Sequence, residues 1–269
     1  MAIWWLIAGA GLALGVSSAN REIRAFERSA ADEIASKLAG EKKHVNVRVK
    51  LDGIIDGISG HLSLAEITAR DFSLDGLPLF TETHRSQSGR IKLLRIRLHD
   101  FVLRGLAIEE LRADINDCRY DVGLAKKERK IRLSKSGTGE GYVRVNEKAL
   151  EDFILHKYHE IKSVSVQLKN RKAYVEGYGE FALFKTDFYV IADLVPKNDY
   201  ELHLDNAIVF LGGARVKDGT DRVLLRTLNP VIHENKDLHL HGALKIEQVK
   251  ILHGKLELTG NAIVPPLPE

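Results

Sequence analysis

Sulfur is nearly absent from this 269-residue chain, which has one cysteine, Cys118, and one methionine, Met1. A lone cysteine excludes a disulfide framework and a cysteine metal knuckle, and reads most simply as a small buried hydrophobe. Proline is scarce too, six in all, with Pro265, Pro266 and Pro268 crowded into residues 265–269 as an extended tail. No Pro-, Ser- or charge-rich stretch divides residues 20–264, so a single domain is expected there. An excess of one charge is also missing: 40 Lys and Arg stand against 37 Asp and Glu. The resulting +3 is too little to displace counterions from a nucleic acid, and nucleic acid is not expected as a partner.

The usual catalytic signatures are missing as well. There is no GxSxG elbow, no paired Cys and His context, and no pair of carboxylates set apart as acid and base. Gly9, Gly11 and Gly15 have the spacing GxGxxxG, and no second strand ending in an acidic residue follows at the distance a dinucleotide site needs. Gly137, Gly139 and Gly141 precede a strand, whereas a phosphate loop precedes a helix N-terminus. His239 and His241, alternating around Leu240, would share one face of a strand, with His233 and His253 near in sequence. A zinc site there needs a third ligand such as Glu234 or Asp237, and a polar outer face with two histidines is the plainer reading. No enzymatic activity, cofactor or metal is expected.

What the chain does have begins at its first residues. Met1 to Asn20 carry no charged side chain, and a helix of that length reaches about 30 Å, the thickness of a bilayer core. Residues 1–19 read as an uncleaved membrane anchor, a cleaved signal with small residues Ser17 and Ala19, or a buried or surface-lying helix, with Trp4 and Trp5 suiting an interfacial belt in the first and last cases. Arg21, Arg24 and Arg28 follow the segment and no basic residue precedes it, which by the positive-inside rule would keep the following domain cytoplasmic, against the export that a signal would give, and the side of the membrane stays open.

A second positive feature is an echo at an offset of 83 residues. Val166, Leu168, Lys172, Val175 and Gly177 line up with Val249, Ile251, Lys255, Leu258 and Gly260, each set reading as strand, tight turn, strand and glycine. Helical segments precede both, one opening at Asn146 and one containing Asn229. A looser third version runs from the amphipathic stretch Ile23, Phe26, Ala30, Ile34 and Leu38 into Val45, Val47, Val49 and Leu51. Units of this kind bury their apolar faces by joining one another. The expected fold is α+β, a curved, mostly antiparallel sheet wrapped on about three helices, with internal helix-hairpin repeats. Parity changes at Ala65 and Glu66, and again between Arg90 and Leu98, predict bulges that curve the strands. The basic run Lys126 to Arg132 and the Gly- and Ser-rich stretch Ser134 to Gly141 read as an exposed loop.

Two strands, Phe188 to Ala192 and Ala207 to Leu211, are apolar on both faces, so something apolar, a helix or a ligand, should cover their second side. Phe153, Phe184, Phe188, Val190, Phe210 and Leu211 are therefore candidates to line a lipid groove, with ordinary core packing as the alternative. Arg90, Lys92, Arg95 and Arg97 could meet anionic head groups, or form a solvated strand face that protects an edge.

The stretch from Gly141 to Gly177, with YVRVNEKALEDF at its opening and VSVQLKNRKAYVEG at its close, resembles the LmeA-like phospholipid-binding proteins of bacterial envelopes. Leu228 to Pro230, Val249 to Gly260 and, in outline, Gly60 to Phe72 extend the likeness. The resemblance implies a membrane-associated cell-envelope protein of tubular lipid-binding-like fold, with phospholipid or the membrane surface as partner. It brings no catalytic motif. The alternative is an envelope scaffold with a filled core that binds other proteins.

Overall fold

A computed structural model of the chain describes residues 21, 23–52, 60–181, 185–217 and 219–268. The apolar segment at residues 1–19 and Phe184 lie outside the described residues. No described helix is long and apolar enough to cross a membrane.

The strands divide into two open sheets, where the alternation of residues had suggested one. The first sheet runs in the order β1 (His44–Leu51), β2 (His61–Leu74), β3 (Gly89–Leu103), β4 (Leu106–Tyr120), β6 (Gly139–Asn146), β14 (Lys255–Ala262) and β13 (Leu244–Leu252), with β5 (Leu133–Lys135) paired to β4. The second runs β11 (Ala214–Arg215), β10 (Glu201–Leu211), β9 (Lys185–Lys197), β8 (Lys172–Glu180) and β7 (Ile161–Lys169), with β12 (Ile232–His233) on β10. Among the described residues, every strand pairing in both sheets is antiparallel except β2 with β3. Five helical segments are described: α1 (23–37), α2 (Val122–Glu128), α3 (Glu147–Lys157), α4 (Thr220–Leu228) and α5 (Glu234–Asp237).

The first sheet is bent by irregularities aligned across neighbouring strands. Pairing passes from Arg70↔His99 to Phe72↔Phe101, so Asp71 and Asp100 sit side by side, both with positive φ of 57° and 49°. Next door it passes from His99↔Glu110 to Phe101↔Ile108. A second row skips Ser63, Lys92 and Asp117. The slip expected at Ala65 and Glu66 thus falls at Ser63, and the one between Arg90 and Leu98 falls at Lys92. Each irregularity switches the inward parity of its strand and adds curvature. Phe72 and Phe101 consequently point the same way and stack with ring centroids 5.0 Å apart and planes 9° from parallel.

Helix α3 shows how local sequence sets an element. Asn146 is extended and its Oδ1 accepts the Ala149 N–H at 2.8 Å, while Glu147 places negative charge in the first turn. Ala149, Leu150, Phe153 and Ile154 then fall on one buried stripe. The helix ends at Tyr158, whose hydroxyl donates to the carbonyls of Leu228 and Pro230, each 2.9 Å away. Beside it Lys157 Nζ donates to Asp237 at 2.6 Å and to the same Pro230 carbonyl at 2.8 Å. These contacts tie α3 to the α4–α5 connection, and one apolar core runs through both sheets.

Three helices also complete exposed strand edges. Glu27 of α1 accepts the Val49 N–H of β1 at 2.8 Å. Glu147 and Glu151 of α3 accept the Leu168 and Val166 N–H groups of β7 at 2.6 and 2.9 Å. Glu234 of α5 accepts the Leu244 N–H of β13 at 3.1 Å. Strands β1 and β13 end the first sheet and β7 ends the second. An unpaired edge invites another chain to add itself, and carboxylates at these amides occupy the docking points.

The two echoed asparagines have different roles. Asn146 starts a helix, whereas Asn229 ends one, its Oδ1 accepting the Leu204 N–H at 2.8 Å and its Nδ2 donating to the Leu204 carbonyl at 3.0 Å. The echoed glycines share one reason. A Cβ on Gly177 would stand 2.1 Å from the Ser163 carbonyl oxygen, and one on Gly260 1.8 Å from that of Lys245.

The region expected as an exposed loop is ordered. Asp121 caps α2 by accepting the Leu124 N–H at 3.0 Å, and Ser134 is buried in β5. Glycine there pointed to an exposed loop. It is required instead for close approach, since a Cβ on Gly137 would meet the Asn116 carbonyl oxygen at 1.7 Å and one on Gly139 that of Asp114 at 1.8 Å.

Candidate functional site

The bent first sheet and the elements crossing its inner face enclose a cavity of about 170 Å³. By the same measure one water needs about 10–15 Å³. The wall is built from alternate residues of the long strands: Ile67, Ala69 and Phe72 of β2, Ile96, Leu98 and Phe101 of β3, and Ile108, Leu111, Ala113 and Ile115 of β4. Ile34 and Leu38 close it from the α1 side, Leu77, Pro78 and Leu79 from the β2–β3 connection, and Leu238, Leu240 and Leu244 from the region of α5 and β13. Ile67, Ile96, Leu98, Leu111 and Leu244 are large aliphatic residues left only half-buried although they face inward. Unfilled apolar space of this kind stabilises nothing by itself and is suited to apolar ligand atoms.

The second sheet contrasts with this. Leu150, Ile154, Val166, Leu168, Leu202, Leu204 and Leu228 leave a void of only about 30 Å³ between α3, α4 and the sheet. Its interior is packed.

Three polar residues border this cavity, Arg112, Tyr142 and Glu234, and the first two alternate with the inward Leu111, Ala113 and Val143, so their side chains meet on the outer face of the sheet. Arg112 lies with its guanidinium carbon 4.0 Å from the centre of the Tyr142 ring, and its Nε is 3.3 Å from Glu110. Glu234 is 2% exposed, and its Oε2 has no hydrogen-bond partner in the protein. Burial pushes its carboxyl up to about 7, against the smaller opposing effect of the Leu244 and Ala243 N–H groups.

The residues singled out in the sequence lie elsewhere. Phe153, Phe188 and Val190 are buried in the common core, and Leu211 is half-buried against it. Phe210 turns outward beside Tyr189, 5.9 Å between ring centres. Phe188 and Phe210 border an open cleft with Ser163, Glu176, Asp187 and Tyr189. The outer positions of β8 to β10, namely Tyr174, Tyr189, Ile191, Ile208 and Phe210, are half-buried. The four basic residues of β3 are held by carboxylates: Arg90 by Asp117 at 2.6 Å, Lys92 by Asp52, Arg95 by Glu66 and Asp114 at 3.5 Å, and Arg97 by Asp114 at 2.6 Å.

His239 and His241 are not on a strand. They occupy the turn between α5 and β13, both with positive φ (52° and 50°), their rings 6.4 Å apart and His241 edge-on to Phe80. Among the described residues, no three His, Cys, Asp or Glu side chains gather as a metal site would require.

The cavity wall was missed in the sequence because β2, β3 and β4 alternate like ordinary half-wet strands. The available signal was their length, 14 to 15 residues, combined with repeated parity slips. Comparison with protein-family profiles, curated proteins and solved structures finds no match to this chain.

Proposed function

We propose that this is a membrane-associated lipid-binding protein of the cell envelope, acting without covalent chemistry by taking an aliphatic chain into the cavity of the first sheet. The observation that carries the reading is the cavity itself, lined by side chains that are almost all aliphatic or aromatic. Each methylene moved from water into it contributes about 0.8 kcal/mol. The apolar stretch Met1 to Asn20 supports a position at a membrane, and the resemblance to LmeA-like proteins supports phospholipid as one candidate ligand. We read the three helix-to-edge contacts, from Glu27, Glu147 and Glu234, as traces of related helix-and-strand units wrapped by the sheets.

The head group would stay at the surface, away from Arg90, Lys92, Arg95 and Arg97, which are already ion-paired. The test is native mass spectrometry of the full chain after incubation with phosphatidylglycerol vesicles. Wild type should retain lipid, and Ala113→Leu, which fills the cavity from β4, should lose it while remaining folded. Equal retention by both would overturn the reading, as would no retention by wild type together with no binding of any long-chain apolar probe.

A second reading is favoured by one observation, the half-exposed aromatic and aliphatic outer face of β8 to β10. That face suits a protein partner, and the chain would then be an envelope scaffold. Tyr189→Glu should abolish such an interaction and leave lipid retention unchanged.

A further inference from the structure

Glu234 is chemically out of place in its wall. Ile232, Leu238, Leu240, Ala243 and Leu244 border the cavity around it. Its Oε1 serves the Leu244 amide of the sheet edge, and that task leaves Oε2 without a donor or acceptor from the protein. A buried carboxyl oxygen without a partner is costly, and native proteins rarely retain one without a use. An edge amide could be satisfied by many acceptors, so the second oxygen is what needs explaining.

The chemistry of the wall narrows what could meet it. A phosphate or carboxylate would be repelled by Glu234, and Arg112, the one Lys or Arg among the described lining residues, turns its guanidinium to the outer face against Tyr142 and Glu110. We propose that the cavity takes a neutral lipid with a free hydroxyl, of the fatty alcohol or acylglycerol class, and that this hydroxyl hydrogen-bonds Glu234 Oε2. The inference rests on the lipid-binding reading and specifies its ligand. A hydroxyl both donates and accepts, whereas an ester carbonyl only accepts and an ammonium only donates. With its carboxyl pushed up to about 7, Glu234 presents an acid and a carboxylate in comparable amounts near neutral pH, and a hydroxyl suits both.

The test uses two isomeric probes, 1-tridecanol and dodecyl methyl ether, which differ in the hydroxyl. Each displaces N-phenyl-1-naphthylamine from the delipidated full chain. Well above pH 7, where Glu234 is a carboxylate, wild type should bind the alcohol about tenfold more tightly than the ether, because the ether cannot donate to Oε2. Glu234→Leu should reduce that preference to within about twofold and bind the ether at least as well as wild type does. Equal binding of alcohol and ether by wild type would mean that solvent serves Oε2, overturning the hydroxyl assignment while leaving the lipid reading intact. Displacement by neither probe, together with no retained phosphatidylglycerol, would overturn both. If Glu234→Leu does not fold, the alcohol-to-ether ratio on wild type decides alone.

Discussion

The carboxylate of Glu147 on α3 accepts the backbone N–H of Leu168 on the edge strand β7 at 2.6 Å. A side chain here takes the place that a neighbouring strand's carbonyl would fill. Glu151 does the same for Val166 one pair along, so the helix shields the edge as well as covering the core.

Removing that acceptor should be felt locally. Glu147→Ala is expected to cost about 1.5–3 kcal/mol, the range for a hydrogen bond to a charged group, and to speed amide exchange at Leu168 more than at Leu202 in the sheet interior. The control Lys148→Ala alters a residue whose side chain is 71% exposed and should cost under about 0.5 kcal/mol. Unchanged exchange at Leu168 would show that the contact carries no weight.

Glycine positions should separate by cause. Gly137→Ala forces a Cβ to within 1.7 Å of the Asn116 carbonyl oxygen and must push β4 and the residues before β6 apart. A loss of more than about 2 kcal/mol is expected from urea unfolding. Gly213→Ala meets no atom within 4 Å, and its positive φ of 83° alone should cost about 1–2 kcal/mol. The reverse order would contradict the close-approach account.

The Lys157–Asp237 pair lies deep enough to matter. Both side chains are under 20% exposed, and Asp237 Oδ2 also accepts the His233 N–H at 2.7 Å. A double-mutant cycle with Lys157→Met and Asp237→Asn should give a coupling of at least 1 kcal/mol, within the range of about 0.5–3 kcal/mol for residues in contact. The exposed pair Lys148–Asp152 should give less than about 0.5 kcal/mol. Similar values for the two pairs would remove Lys157 from the junction between helix and sheets.

Glu234 should make stability depend on pH in a defined window. Its folded-state value, about 7, lies above the ordinary 4.5, so the folded protein holds this proton more tightly than the unfolded chain. Below about 4.5 the group is protonated in both states and costs nothing through ionisation. The cost grows as pH rises from there to about 7 and is complete above, on the order of 3 kcal/mol. Relative to wild type, Glu234→Gln should therefore gain about that much between pH 4.5 and pH 8 in urea unfolding. A difference independent of pH would place the carboxyl in a wetter setting.

Much of the fold can be read locally. The alternation Val45, Val47, Val49 predicts β1, the Asn146 cap predicts α3, and the stretches read as strand, tight turn and strand form the hairpins β7–β8 and β13–β14. The division into two sheets was not legible, because it depends on β4 pairing with β6 and β6 with β14, more than a hundred residues later. The cavity was sought between strands apolar on both faces, β9 and β10. Those form the packed centre of the second sheet, and their outer residues are left half-buried. The isolation of Glu234 depends on what fails to surround it, and no pattern along the chain records that.

The parallel pairing of the described strands β2 and β3 has a consequence for access. Parallel neighbours cannot be joined by a tight turn, so residues 75–88 must travel back along the sheet before β3 can begin. That return path carries Leu77, Pro78 and Leu79 across the cavity and is fastened at Thr81, whose N–H donates to the Pro265 carbonyl at 2.8 Å. Residues 265–267 thereby become the latch of a strap that topology obliged the chain to make, and one wall of the cavity is tied to them.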